Sequence, residues 1–272
     1  MTVAAFEEYR PELLAYCYRM LGSRHDAEDV LQETMLRAWR GFERFDGRSS
    51  VRRWLYVIAT RACLTAAGQR SRRALPSDLS DLESSWLEPL PDALVTSRAG
   101  IRLAFVAALQ HLPARQRAAL ILCDVLEFPA AEAAELLGVT TPAVNSALQR
   151  ARAQLRRLDL DEHEVAEPAD AGLLDRYTDA FQRADVPALV GLLREDVTLE
   201  MPPMLEWYAG RDAVLAFLAE RVLTTPGRWR LVPTRANGQP ALAAYEGADL
   251  HALQVLSIRG GRISRIVTFL ES

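Results

Sequence analysis

The stretch EAAELLGVTTPAVNSALQRAR, residues Glu132 to Arg152, decides how the middle of the chain folds. It opens as a short apolar helix that Gly138 stops, because glycine accepts the left-handed backbone of a helix end. After a tight turn Thr141 can cap a second helix. Pro142 then takes its first position, where a missing N–H costs nothing. That is the sequence form of a helix-turn-helix. In the second helix Val144, Leu148, Ala151 and Leu155 fall on one face at helical spacing. Pro142, Ser146, Gln149 and Ala153 face the opposite way, flanked by Asn145 and Arg150. A buried stripe backed by a small, polar and cationic face suits a helix entering a DNA major groove. The plainer alternative is an amphipathic helix pair on a protein surface, so the rest of the chain has to decide.

The 272 residues are enough for two or three compact units, and half of them are hydrophobic, so each unit can bury a core. No run of apolar residues is long enough for a transmembrane helix. The start, Met1 to Glu8, lacks a basic region followed by an apolar one, so a cytoplasmic protein is expected. Cys17, Cys63 and Cys123 are far apart and without metal spacing, which reads as inert thiols; no cofactor or metal is expected. All 32 basic residues are Arg, and the net charge of −4 hides an asymmetry. Residues 1–75 carry 13 Arg against 9 acids, and 101–158 carry 7 against 4. Residues 76–100 carry 1 against 5, and 159–272 carry 11 against 18. Two basic segments separated by an acidic one suit a polyanion partner better than a uniform solvated surface does.

Residues 5–72 read as helical almost throughout. Ser23 can cap a helix from Asp26 to about Arg40 whose packing stripe includes Ala27, Leu31, Thr34 and Ala38. Asp26, Asp29 and Glu33 line another face with Gln32 beside them, either a solvated face or a dock for a basic partner. Phe42 to Ser50 reads as a turn-rich loop, and Ser50 opens a helix containing Arg52, Arg53, Trp54 and Tyr56. Interleaved Arg and aromatic residues suit single-stranded nucleic acid, phosphates to Arg and bases to ring faces. For Trp54 a place in the core is an equal alternative.

Asp26-Ala27-Glu28-Asp29-Val30-Leu31-Gln32-Glu33-Thr34, Phe45-Asp46-Gly47 and Arg53 to Thr60 resemble region 2 of the extracytoplasmic-function (ECF) sigma factors of the sigma-70 family. Leu112 to Ala118, with the helix-turn-helix, resembles their region 4. The resemblance covers about residues 5–158. It implies that Asp26, Glu28, Asp29, Gln32 and Glu33 grip the clamp helices of the largest RNA polymerase subunit. It implies that Phe45, Arg48, Ser49, Arg53, Trp54 and Arg61 melt and read a −10 promoter element. It implies that Thr141, Asn145, Ser146, Gln149, Arg150 and Arg152 read a −35 element. There are departures. Arg61 and Thr65 stand where many relatives have Asn and Asp, and Gly68 interrupts a usually unbroken basic helix end. Glu127-Phe128-Pro129 replaces a more usual Gly-aromatic-Ser, though Pro129 can still start a helix.

Residues 74–99 read as an acidic linker in which Pro76, Pro89 and Pro91 prevent regular structure. By resemblance it threads the polymerase cleft; an inert acidic spacer fits the composition equally well. Residues 159–169 form a second acidic joint. Beyond it helices give way to strands at about 197–201, 229–235, 240–245, 250–259 and 262–270, the last two joined by the hairpin signal Gly260-Gly261. Helices followed by a long antiparallel sheet is an α+β pattern. Leu173 to Tyr177, Met201-Pro202-Pro203, Glu206 to Arg211 and Ala236 to Ala241 resemble the SnoaL-like branch of the nuclear-transport-factor-2-like cone folds. A group of ECF sigma factors carries such an extension.

The expected architecture is therefore multidomain. Two all-α domains, 1–73 and 100–158, are followed by an α+β cone-shaped SnoaL-like domain, 170–272. Candidates for proton transfer in the last domain are Glu200, Glu206, His251, Arg235 and Tyr208, but no pair has a spacing that demands chemistry. Trp207, Tyr208, Arg235, Asn237, Gln239 and Pro240 are read instead as a regulatory interface or pocket, for an intramolecular contact or a small effector. The expected function is a non-enzymatic sigma factor whose partners are core RNA polymerase and promoter DNA. The alternative is a small-molecule isomerase or hydrolase whose helical half regulates it. Fold alone does not choose between them.

Overall fold

The computed structural model describes residues 4–45, 47, 49–72, 88–94, 103–157, 171–201 and 207–270. The chain divides into two units, residues 1–160 and 161–272.

The first unit is helical. Its helices are α1 (Ala4–Glu7), α2 (Arg10–Leu21), α3 (Arg24–Gly41), α4 (Val51–Arg72), α5 (Leu103–Gln110), α6 (Ala114–Leu120), α7 (Ala130–Leu137) and α8 (Thr141–Arg157). Local chemistry sets their ends. Gly22 closes α2 at φ 76°, and its N–H donates to the Tyr18 carbonyl. Ser23 then caps α3, its hydroxyl accepting from the Asp26 N–H at 3.1 Å. Ser50 does the same for Arg53 at the start of α4. Gly138 ends α7 at φ 65°, and Pro129 precedes its first turn. One cap differs from the expectation. The Thr140 hydroxyl, not that of Thr141, accepts from the Ala143 N–H, which places Thr141 and Pro142 inside the first turn of α8. The two adjacent threonines are chemically equivalent caps, and the turn after Gly138 selects the earlier one.

The core of α2, α3 and α4 is built from Leu13, Tyr16, Cys17, Met20, Leu31, Leu55, Tyr56, Ala59 and Cys63, all buried. The Tyr16 hydroxyl is matched inside it by Thr60 Oγ1 at 2.8 Å, so the polar atom is not stranded. Val144, Leu148, Ala151 and Leu155 are buried as the helical spacing predicts. They face α6 and α7. The three cysteines are free; Cys17 and Cys63 are buried, and burial pushes the Cys63 thiol up. Among the described residues no three potential ligands gather as a metal site, and no helix is long and apolar enough to cross a membrane.

The linker is not wholly a spacer. At 88–94, Glu88 donates its N–H to the Gly22 carbonyl and accepts the Tyr18 hydroxyl on its own carbonyl at 2.6 Å. Its carboxylate takes the His25 N–H at 2.9 Å, in the positive first turn of α3. Leu90 is fully buried. Asp92 is buried as well. Asp78, Asp81, Glu83 and the 159–169 joint lie outside the described residues.

The second unit has α9 (Ala171–Gln182), α10 (Val186–Val190) and α11 (Arg211–Phe217) beside six strands: β1 (Leu193–Glu200), β2 (Trp207–Ala209), β3 (Trp229–Ala236), β4 (Gln239–Glu246), β5 (Asp249–Arg259) and β6 (Arg262–Leu270). Their order is β2-β1-β6-β5-β4-β3. The sheet is mixed, which corrects the expectation of an antiparallel one: β1 and β6 run parallel. The antiparallel meander β3 to β6 brings its last strand back beside β1, and this return sets the direction. Asn237 and Gly238, at φ 56° and 68°, make the β3–β4 turn with both φ values positive, as a tight hairpin turn requires. The core gathers Tyr177, Phe181, Leu189, Leu199, Val214, Leu218, Leu231, Leu242, Leu256 and Ile266.

Candidate functional site

Helix α3 presents the acidic face. Asp29 and Gln32 are exposed, and Asp26, Glu28 and Glu33 are half-buried. Three of the acids meet a side chain of the same helix: Glu28 accepts from Arg24 at 2.9 Å, Glu33 from Arg37 at 2.7 Å, and Asp29 lies 3.7 Å from the His25 ring. Exposed pairs of this kind are worth a few tenths of a kcal/mol, so they orient the carboxylates without removing them from use. Sequence reasoning missed the apolar part of this face. Leu36 is 48% and Trp39 61% exposed, one and two turns beyond Gln32 and Glu33. Exposed large side chains at helical spacing beside acids are a signal the sequence did carry.

Trp54 is half-buried in an aromatic cluster. Its ring lies 5.1 Å from that of Phe45 and 6.2 Å from those of Phe6 and Phe42. Phe45 and Phe42 are stacked at 6.0 Å. Ser49 is half-buried and Arg61 exposed; Arg48 lies outside the described residues. Arg52 is held by the Glu12 carboxylate, which also accepts the Tyr56 hydroxyl at 2.7 Å. Burial, with Glu12 next, holds the Tyr56 phenol protonated far above its ordinary range.

On α8 Asn145, Ser146, Gln149, Arg150 and Arg152 are exposed, and Thr141 is half-buried. Arg152 is engaged bidentately by Asp124 at 2.9 and 2.6 Å.

Within the helical unit the two candidate DNA-reading parts are fastened together. Arg53 of α4 forms an ion pair with Glu135 of α7. The Phe128 ring meets the edge of Tyr56 at 5.2 Å and lies under the Arg52 guanidinium at 4.9 Å. Arg117 of α6 is buried and donates to the Met20 carbonyl at the end of α2, and to the Gln110 and Leu112 carbonyls. Gln110 donates to the Arg19 carbonyl at 3.2 Å.

In the α+β unit the six residues read as one regulatory site are divided. Trp207, 61% exposed, and Tyr208, stacked on Phe217 at 4.4 Å, belong to the edge strand β2. Arg235, Asn237, Gln239 and Pro240 lie at the β3–β4 turn on the opposite edge. Asn237 and Gln239 are buried; Gln239 Nε2 reaches Ser257 Oγ at 2.9 Å, and Arg235 reaches the Gly238 carbonyl. Of the proton-transfer candidates, Glu200 is held by Arg265 at 2.9 and 2.7 Å, and exposed His251 lies beside Trp229 at 4.9 Å. Glu206 lies outside the described residues. A cavity of about 220 Å³ opens between α11 and the sheet, and no Asp or Glu is among the described residues that line it.

The Sigma-70 region 2 family matches residues 5–73, the Sigma-70 region 4 family residues 102–155, and the SnoaL-like domain residues 174–266. Fold and matches together define the class: a sigma factor of the sigma-70 type followed by a SnoaL-like domain. The chain belongs to the ECF RNA polymerase sigma factors. It is 46% identical to the ECF RNA polymerase sigma factor SigG of Mycobacterium tuberculosis, over 98% of this chain and 80% of that protein. It is 29% identical to SigJ of the same species, over 80% and 72%. The crystal structure of SigJ superposes with a TM-score of 0.68 at 25% identity, covering 99% of this chain and 96% of that one. As a sigma factor the chain binds RNA polymerase and promoter DNA.

Proposed function

We propose that the chain directs promoter-specific initiation in an opened form of its helical unit. Asp26, Glu28, Asp29, Gln32 and Glu33, with Leu36 and Trp39 beside them, dock on the clamp helices of the largest polymerase subunit. Phe45, Arg48, Ser49, Arg53, Trp54 and Arg61 take the −10 element. Thr141, Asn145, Ser146, Gln149, Arg150 and Arg152 take the −35 element. The SnoaL-like domain modulates this activity, and the chain does no covalent chemistry. Capturing unpaired bases offsets the few kcal/mol per base that unstacking costs.

The observation that carries this reading is the Arg53–Glu135 pair. It neutralises a −10 candidate with an acid from the helix that precedes the −35 reader. The two elements are about 25 base pairs apart, or about 85 Å at 3.4 Å per pair. A compact unit of this length is only ~40 Å across. One closed unit cannot span both elements, so α4 and α7 part when the promoter is engaged. Tethering then lets two weak readers act together through effective concentration.

Run-off transcription with core polymerase tests the assignment. Asp29→Arg with Glu33→Arg is expected to weaken polymerase binding at least several-fold, with specific initiation falling in parallel. Wild-type affinity in this variant would remove α3 from the polymerase interface.

A further inference from the structure

The cavity of the α+β unit is built to hold something other than water alone. Phe181, Leu199, Met201, Phe217, Leu218 and Val222 supply most of its apolar wall. Two buried polar side chains break that wall from neighbouring strands, where Gln254 of β5 pairs across to Thr268 of β6. They are 4% and 7% exposed. The Gln254 Oε1 accepts the hydroxyl of fully buried Tyr177 at 3.2 Å, which fixes the carboxamide. Among the described residues neither Gln254 Nε2 nor Thr268 Oγ1 has a protein partner, and neither atom is sealed off from the cavity. Burying such groups unpaired costs on the order of 1–3 kcal/mol each. Donors left facing an apolar space are what a bound oxygen would satisfy.

Both charged residues that line the cavity, Arg221 and Arg228, are cationic, and His251 lines it too; all three are exposed. Arg228 is occupied, paired with Glu246 at 2.9 Å and lying over Trp229. Arg221 has no acidic partner among the described residues. A carboxylate placed deep in the cavity would be a buried, unpaired charge, which is prohibitive; at Arg221 it would be paired and still hydrated.

We propose that this cavity binds a small apolar carboxylic acid carrying one further oxygen on its body. The carboxylate sits at Arg221 and His251. The body fills the apolar wall, and the second oxygen takes the free hydrogen bonds of Gln254 and Thr268. At about 220 Å³ the space lies below the range of about 300–1,000 Å³ of drug-sized pockets, so the ligand has roughly ten non-hydrogen atoms. The inference concerns the α+β unit alone and does not depend on how the helical unit engages DNA.

Isothermal titration of the full chain with octanoate, a set of hydroxyoctanoates and octanol tests it. At least one hydroxyoctanoate is expected to saturate with a Kd on the order of 100 μM, an affinity open to a ligand of this size. Octanoate is expected to bind about tenfold more weakly than that compound, and octanol about tenfold more weakly than octanoate. Arg221→Gln, at an exposed position that leaves the fold intact, and the isosteric Thr268→Val are each expected to cost about tenfold. No saturation by any of the acids at ten millimolar would overturn the proposal. So would octanol binding as tightly as the acids, or affinities within twofold of wild type in both variants.

Discussion

Phe128→Leu probes the closed helical unit with little damage to its core. The substitution keeps an apolar side chain of similar bulk in a buried place, and swaps of that kind usually cost less than about 1.5 kcal/mol of folding stability. What it removes is specific to the contact with α4. The edge-to-face meeting with Tyr56, at 5.2 Å and 68°, is worth about 0.5–1.5 kcal/mol. The Arg52 guanidinium over the ring at 4.9 Å is worth about 0.5–2 kcal/mol. About 2 kcal/mol of closing energy is therefore lost. If polymerase captures only the open form, apparent affinity scales with the open fraction. The apparent Kd should then fall about 30-fold while the open form remains the minority. The assay is equilibrium titration of fluorescently labelled chain with core polymerase, beside a thermal melt of each protein alone. A Kd within twofold of wild type, with the melt showing a folded variant, would refute the reasoning that closure competes with polymerase binding.

Glu127 sits at φ 58°, a left-handed backbone that costs a side-chain-bearing residue roughly 1–2 kcal/mol. Glu127→Gly should stabilise the helical unit by about 0.5–1 kcal/mol net of the extra entropy of glycine, read as a higher denaturation midpoint; a lower midpoint would contradict the strain. Burial raises the phenols of Tyr16 and Tyr56 above the ordinary value of 10, so the folded state holds these protons longer than the unfolded chain does. Their stabilisation is complete below pH 10 and is lost as pH rises beyond it, so urea midpoints should fall above about pH 10; midpoints that stay flat there would contradict the burial.

The helix-turn-helix was readable because a packed helix writes its period into the sequence. Val144, Leu148, Ala151 and Leu155 recur at helical spacing, and each is buried. The cap of α8 was misplaced by one residue, since Thr140 and Thr141 offer the same hydroxyl and only the turn geometry selects between them. The hold of Glu88 on the α2–α3 corner was not readable: it joins residues 63 positions apart, and nothing local in an acidic Pro-rich stretch announces it. The parallel pairing of β1 with β6 escaped for a related reason, because the alternation of one strand does not name its neighbour. Gln254 and Thr268 looked like ordinary strand polar residues. Their importance depends on which face of β5 and β6 turns to the cavity, and strand alternation fixes that phase only once the covering element is known. Asn237 is expected in an interface or pocket, but Asn237-Gly238 is a hairpin dipeptide, and in the fold these residues serve first as the β3–β4 turn.

The most direct test is the distance between exposed Gln69 on α4 and exposed Arg156 on α8, neither of them assigned to a promoter element, measured by pulsed dipolar spectroscopy. Both are replaced by spin-labelled cysteine in a chain whose three native cysteines are serine or alanine. The account predicts a single short distance within ~40 Å for the free chain. It predicts a shift beyond that by tens of ångströms once the chain sits with core polymerase on promoter DNA. An unchanged short distance in a complex that initiates transcription would contradict it.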